Sequence, residues 1–142
     1  MWGKYMAKMN EVEFQEFLEQ PNIAHLTVLD ESNKPYPVPV WFSYEDKNLW
    51  LISNIISKKI EYIRKIPDVS LSIANSIRPY QYVIFNGIAE IIDPADPNKI
   101  IQVCTKYDGE VEGKKFAKMA MESRHTIIIK IKISKTNAWI DR

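Results

Sequence analysis

Alternation of isoleucine and lysine side chains within His125–Ser134 constrains the fold more than any other feature of the sequence. The apolar set is Ile127, Ile129, Ile131 and Ile133, and the charged set is Lys130 and Lys132. Successive side chains of an extended chain point to opposite faces, so this segment predicts a strand with one buried and one solvated face. Strands of that kind belong to antiparallel sheets.

The rest of the chain predicts about six strands in total, joined by turns and short helices. The other main strand segments are Ile23–Leu29, Tyr36–Tyr44, Leu49–Ser53, Val69–Ala74 and Tyr82–Ile92, which make six with His125–Ser134, and a short final strand holds Trp139. Helix starts are predicted at Asn10, Ser57 and Asp96-Pro97, with a further helix over Lys114–Glu122. This order is too irregular for alternating β-α units. It predicts a mainly β fold, a six-stranded antiparallel barrel that is closed or split.

Two strand segments carry residues that weaken strand pairing. Pro37 and Pro39 cannot donate to a strand ladder, so Tyr36–Tyr44 is expected at a sheet edge. Gly87 interrupts Tyr82–Ile92 and predicts a bulge or a close backbone approach.

Length, charge and cysteine content exclude several classes of protein. We expect 142 residues without repeats or linkers to form one domain, residues 1–142. A net charge of +1 gives no long-range attraction to nucleic acid or to an anionic membrane. The single cysteine, Cys104, excludes an internal disulfide, and neither histidine stands in a metal-ligand motif. The sequence predicts neither a membrane span nor a signal peptide, which indicates a cytoplasmic protein. For want of a ligand motif, no bound metal is expected.

The segment Ile52–Lys59 combines a strand end, two serines, a helix start and two lysines. Free amides at a helix start favour an anion there, and the hydroxyl and ammonium groups would complete a phosphate site. The alternative is that Ser57 only caps the helix and that Lys58 and Lys59 are solvated. The proline-spaced strand Pro37–Phe42 is the second candidate, because interrupted ladder hydrogen bonds leave its backbone groups and aromatic side chains to a planar heterocycle. The alternative is an ordinary edge strand in the core.

The order of these stretches resembles a known family. Pro-Val-Pro-Val-Trp-Phe is followed by a hairpin, by a Ser-x-x-x-Ser-Lys-Lys helix start and by Val69–Ile73. The arrangement is similar to that of the pyridoxamine 5′-phosphate oxidase-like family of FMN-binding split barrels. The similarity runs from about Ile23 to Ile92, and a weaker similarity is found in His125–Trp139.

This resemblance implies an FMN-dependent oxidoreductase that is a homodimer with a flavin at the subunit interface and acts on a small molecule. It also implies that Pro39–Phe42 runs along the isoalloxazine ring and that Ser57, Lys58 and Lys59 hold the phosphate. Trp139 would reach the partner's flavin or, alternatively, pack over the barrel mouth. The full set of implied cofactor-binding residues is Pro39, Val40, Trp41, Phe42, Ile52, Ser53, Ser57, Lys58, Lys59, Tyr82 and Trp139.

The sequence departs from the oxidases of that family at three points. Lys58 and Lys59 stand where the oxidases have an Arg and a Lys, which keeps charge but loses bidentate geometry. Tyr82 stands where they have a Gln. The C-terminal Arg-x-His pattern that grips pyridoxal phosphate is missing, so vitamin B6 oxidase activity is not expected.

Two alternatives remain open at this point. Some members of the fold use the deazaflavin F420, whose longer anionic tail would need a wider basic groove beyond Lys58 and Lys59. A non-catalytic module that binds another ligand or stacks single-stranded nucleic acid on its aromatic residues is the second alternative, against which the near-zero net charge argues.

Overall fold

One antiparallel sheet organises the computed structural model, which describes residues 6–141. The strands are β1 (Met6–Lys8), β2 (Ala24–Leu29), β3 (Pro35–Val40), β4 (Phe42–Glu45), β5 (Asn48–Asn54), β6 (Asp68–Ala74), β7 (Gln81–Ile92) and β8 (Thr126–Asp141). The helices are α1 (Glu11–Glu19), α2 (Lys58–Lys65), α3 (Pro97–Asp108) and α4 (Glu110–Glu122). The segment in which no signal peptide was expected lies partly outside the described residues.

The strand order explains why the barrel is split. The order is β3-β2-β6-β7-β8-β5-β4, with β1 paired to β8. Strands β3 and β4 therefore lie at opposite ends of the sheet although only Trp41 separates them in the chain. The two ends of the sheet are joined by this covalent junction and not by a hydrogen-bonded ladder. We call the junction at Trp41 the split. The predicted mainly β, antiparallel split barrel is confirmed.

The strand count differs from the six predicted, because eight strands form within residues 6–141. Tyr36–Tyr44 was expected as one strand, but the chain leaves β2 and joins β5 within one residue, Trp41, which divides the segment in two. At the C-terminal side, the two expected strands are one continuous strand, β8, and three-residue β1 is too short to give a sequence pattern.

The proline-rich segment β3 is an edge strand, as predicted. It pairs with β2 alone, and its prolines occupy alternate positions of the ladder. Gly87 is also confirmed at a bulge, where the register of β7 on β8 shifts between Asn86 and Gly87. A Cβ atom at Gly87 would lie 2.3 Å from the carbonyl oxygen of Lys132, so only glycine permits this approach.

The core has two parts. The larger fills the barrel, and the isoleucine face of β8 faces it as predicted, with Ile127, Ile129 and Ile131 buried. A smaller cluster lies between the sheet and the α3–α4 pair and consists of Ile100, Cys104, Ala117 and Ile128. Cys104 is fully buried in this cluster, and burial raises the pKa of its thiol to about 11. No helix in residues 6–141 is both long and apolar enough to cross a membrane.

Candidate functional site

A cavity of about 530 Å³ opens beside the split. We call it the split cavity. Its lining residues are Ile23, Pro39, Val40, Trp41, Ile52, Ser53, Asn54, Lys59, Phe116, Ala120 and Thr126. They come from the residue before β2, the end of β3, the split itself, the end of β5, the first turn of α2, the second half of α4 and the start of β8. Strand β4 turns away from β3 at this point, so no ladder fills the space between the two sheet ends.

One end of the split cavity carries hydroxyl groups and a single ammonium group. Ser53 is buried at the end of β5, and its Oγ lies 3.3 Å from Oγ of Ser57. The Ser57 hydroxyl donates to the carbonyl oxygen of Asn54 at 2.8 Å and makes no cap hydrogen bond to the helix. The first amides of α2 therefore remain available to an anion. The alternative in which Ser57 caps the helix with its side chain is not what the structure shows.

Lys59 is the only charged residue that lines the split cavity among the described residues. It is half-buried, and no carboxylate in residues 6–141 pairs with it. Burial lowers the pKa of Lys59 because the charged form is poorly solvated. An anionic group in the cavity would stabilise the ammonium form and offset this cost.

Another part of the cavity lining is aromatic. The ring of Trp41 stacks on the ring of Tyr107 from α3, with centroids 4.7 Å apart and planes at 3°. The ring of Phe116 from α4 also packs against Trp41, with the two ring centroids 5.9 Å apart and the planes at 52°. Burial raises the pKa of Tyr107 to about 12, so its hydroxyl keeps its proton at neutral pH. The indole ring of Trp41 offers a flat, apolar surface of the kind that suits a planar ligand.

Six of the eleven predicted site residues line this one cavity. They are Pro39, Val40, Trp41, Ile52, Ser53 and Lys59. Ser57 is adjacent through its contact with Ser53. The structure thus brings both predicted stretches together, while the binding role of each residue stays a prediction.

The other four predicted residues lie elsewhere. The side chain of Phe42 is fully buried in the barrel core, because alternation along the strand turns it inward next to Trp41. Lys58 is exposed, with its Nζ 3.9 Å from Oε2 of Glu61. Tyr82 of β7 and Trp139 of β8 are paired in the ladder between these two strands, and neither lines the cavity.

Sequence patterns missed the contribution of the α3–α4 pair. Phe116 is 46% exposed at the cavity and packs against Trp41, and Tyr107 stacks on the same indole ring. Neither residue is among the predicted site residues. Nothing local to either helix indicates that it packs beside a strand 65 residues away in the chain.

Comparison with solved structures finds the same fold in several proteins. A conserved hypothetical protein from Mycobacterium tuberculosis is 22% identical with a TM-score of 0.78, covering 98% of this chain and 89% of its own. A protein named F420 reductase is 21% identical with a TM-score of 0.68, covering 86% and 94%. A FAD-binding protein from Mesorhizobium loti is 19% identical with a TM-score of 0.67, covering 95% and 96%. At these identities the likeness establishes the fold alone.

Comparison at the level of sequence identifies a protein family. No curated protein matches the sequence. The sequence model of pyridoxamine 5′-phosphate oxidase matches residues 11–139, which is nearly the whole chain and includes every residue that lines the split cavity. The chain belongs to the pyridoxamine 5′-phosphate oxidase family.

Proposed function

We propose that this chain is a flavin-dependent oxidoreductase that binds FMN in the split cavity and acts on a small molecule. The observation that carries the proposal is the half-buried ammonium of Lys59, the only charge on the lining of the cavity within residues 6–141. The cavity of about 530 Å³ is within the usual range for small-molecule sites, roughly 300–1,000 Å³. Family membership and two structural neighbours, an F420 reductase and a FAD-binding protein, point to the same class of cofactor.

The two ends of the cavity match the two ends of FMN. The hydroxyls of Ser53 and Ser57, the free amides of α2 and the ammonium of Lys59 would hold the phosphate. Pro39, Val40 and Trp41 would flank the ring system. When bound, a flavin itself supplies the hydride or electron transfer, so the protein has to orient it and leave substrate access to one face. No acid–base pair is needed in this cavity.

We further propose a homodimer, formed through the outer face of the sheet. One row across this face contains Pro39, His25, Ser72, Ile84 and Asn137. The next row contains Pro37, Thr27, Ser70, Asn86 and Lys135. Only one of these ten residues is charged, although His25 and Ser72 at the centre are exposed. Depletion of charge is typical of the centre of a protein interface.

The same dimer would explain Tyr82 and Trp139. Both lie on this outer sheet face, on strands three and four positions from β3 in the sheet order. Neither residue lines the split cavity of its own chain. A second copy docked on this face would bring its own Tyr82 and Trp139 towards the cavity.

We also propose that the protein is cytoplasmic, because its one cysteine is a free, buried thiol.

Titration with paired ligands tests the cofactor assignment. FMN and riboflavin differ only in the phosphate, so we expect the wild type to bind FMN at least ten times more tightly by flavin-fluorescence quenching. Lys59→Met should weaken FMN binding by about 10- to 100-fold, since a hydrogen bond to a charged group contributes about 1.5–3 kcal/mol, and should leave riboflavin binding unchanged.

Lys58→Met is the matched control, because Lys58 is the preceding residue, is exposed and does not line the cavity. Its FMN affinity should stay within about twofold of the wild type. Equal FMN affinity in wild type and Lys59→Met would remove the phosphate assignment. Tighter binding of F420 than of FMN in a parallel titration would favour the deazaflavin alternative, and a shift with an oligonucleotide alone would favour the nucleic-acid module.

A further inference from the structure

Lys106 and Tyr107 are neighbours on α3, and both hydrogen-bond to the backbone of Phe42, the first residue of β4 after the split. Lys106 donates from Nζ to the carbonyl oxygen of Phe42 at 3.0 Å. The backbone N–H of Phe42 donates to the hydroxyl oxygen of Tyr107 at 3.3 Å. Strand β4 is at the end of the sheet, and these contacts therefore occupy backbone groups that have no strand partner on that side.

Tyr107 also reaches the other end of the sheet. Its hydroxyl donates to the carbonyl oxygen of Asn22, just before β2, at 2.8 Å. One phenol group thus connects the chain next to β2 with the first residue of β4, across the gap that the strand ladder leaves open. Because β2 carries β3 and β4 continues from β3 through Trp41, this bridge fixes the geometry of the split.

The ring of Tyr107 carries the same restraint to the cavity wall. It stacks on Trp41 with planes at 3°, on a residue that lines the cavity, while Tyr107 itself does not line it. Without this backing, the indole ring of Trp41 could rotate between rotamers at a junction where no neighbouring strand restrains it. The hydroxyl anchors the phenol ring, and the phenol ring holds the indole plane.

We propose that Tyr107, assisted by Lys106, is a positioning residue that fixes Trp41 as a planar wall of the split cavity and thereby sets the affinity for the cofactor. This inference rests on the proposed flavin-binding function. Tyr107 acts through Trp41 and has no direct contact with the ligand. Its contribution is preorganisation, because a wall that is already flat loses little conformational freedom when a planar ring packs on it.

The first measurement follows the conformation of Trp41 without any ligand. Protein labelled with 5-fluorotryptophan gives a ¹⁹F resonance for Trp41, identified as the one that disappears in Trp41→Phe. In Tyr107→Leu, which removes both ring and hydroxyl, we expect this resonance to shift and broaden. In Tyr107→Phe, which keeps the ring but loses the bridge to Asn22 and Phe42, we expect a smaller change. Thr105→Val is the control on the same helix, since Thr105 Oγ1 bonds only to helix carbonyl groups.

The second measurement is FMN affinity by fluorescence quenching in the same proteins. Tyr107→Leu should bind FMN about tenfold more weakly, Tyr107→Phe two- to fivefold more weakly, and Thr105→Val as the wild type does. If Tyr107→Leu does not fold, Tyr107→Phe decides on both readouts. An unchanged Trp41 resonance, or unchanged FMN affinity with a changed resonance, would overturn the positioning role while leaving the flavin assignment intact. A wild type that binds no flavin would instead overturn the proposed function, and the ligand-free resonance would still test the restraint on Trp41.

Discussion

Lys106 is a cation in surroundings that do not favour charge. Its one hydrogen-bond partner in residues 6–141 is the Phe42 carbonyl oxygen, and the cation–π contact of its Nζ with the Phe42 ring, 3.5 Å from the ring centre, replaces only part of the lost solvation. Burial lowers its pKa to about 7, although the negative charge of Glu19 acts in the opposite direction. This residue therefore changes protonation in the folded protein near neutral pH, whereas a lysine in the unfolded chain does so only near pH 10.4.

The lowered pKa predicts a specific pH dependence of stability. Between about pH 7 and pH 10 the unfolded state holds one more proton than the folded state, so the folded state gains stability as the pH rises through this window. Lys106→Met removes this gain. We expect the unfolding free energy of the wild type, relative to Lys106→Met, to increase by on the order of 1–2 kcal/mol from pH 6 to pH 9 in urea titrations.

The exposed Lys118 provides the control, since Lys118→Met should show the same difference from the wild type at both pH values. A constant difference between wild type and Lys106→Met across this range would show that Lys106 keeps an ordinary pKa in the folded state.

At the scale of elements, the close packing of α3 and α4 decides where the aromatic wall of the cavity lies. Helix α4 supplies Phe116 and Ala120 to the lining, and α3 supplies the ring behind Trp41. The two helices can approach closely because Gly113 faces α3. A Cβ atom there would lie 2.6 Å from Cα of Thr105 and 2.7 Å from the carbonyl oxygen of Cys104. Both are backbone atoms, which cannot give way without moving the helix.

Gly113→Ala is therefore expected to destabilise the protein even though alanine is the better helix former. The gain in helix propensity is about 1 kcal/mol, and the steric cost of inserting a methyl group in a tight contact is about 1–3 kcal/mol. We expect a net loss of about 1 kcal/mol in chemical unfolding and weaker FMN binding, because α4 carries Phe116 away from Trp41. Lys118→Ala on the exposed side of α4 should be neutral. A Gly113→Ala protein that is more stable than the wild type would mean that the helices separate at no cost.

At the scale of the whole molecule, the outer sheet face, with only one charged residue in the two rows described above, predicts self-association. Light scattering after gel filtration should give twice the chain mass of 16.6 kDa. Ser72→Arg places a charged side chain at the centre of the face, next to His25 and Ile84, and we expect it to give a monomer. Ser76→Arg, at an exposed serine in the loop after β6, should remain dimeric. A dimer that survives Ser72→Arg would show that another surface carries the contact.

The candidate site was predictable where its chemistry is local. Ser53, Ser57 and Lys59 fall within seven residues, and a strand end followed by a helix start brings them together without help from the rest of the chain. Trp139 and Tyr82 could not be assigned in the same way, because whether they complete a cavity depends on a second copy and on strands that are distant in sequence.

What the sequence determined by itself is the set of elements and their chemistry. The period of two in β8, the edge position of the prolines in β3, the bulge at Gly87 and the start of α2 all follow from preferences within a few residues. The tertiary structure alone decided that the predicted strand Tyr36–Tyr44 divides at Trp41 into β3 and β4. It also decided that Phe42 turns inward while Trp41 turns to the cavity, and that Tyr107 meets Phe42 across 65 residues. Those contacts depend on which strands end side by side when the whole sheet curls, and no local propensity encodes that.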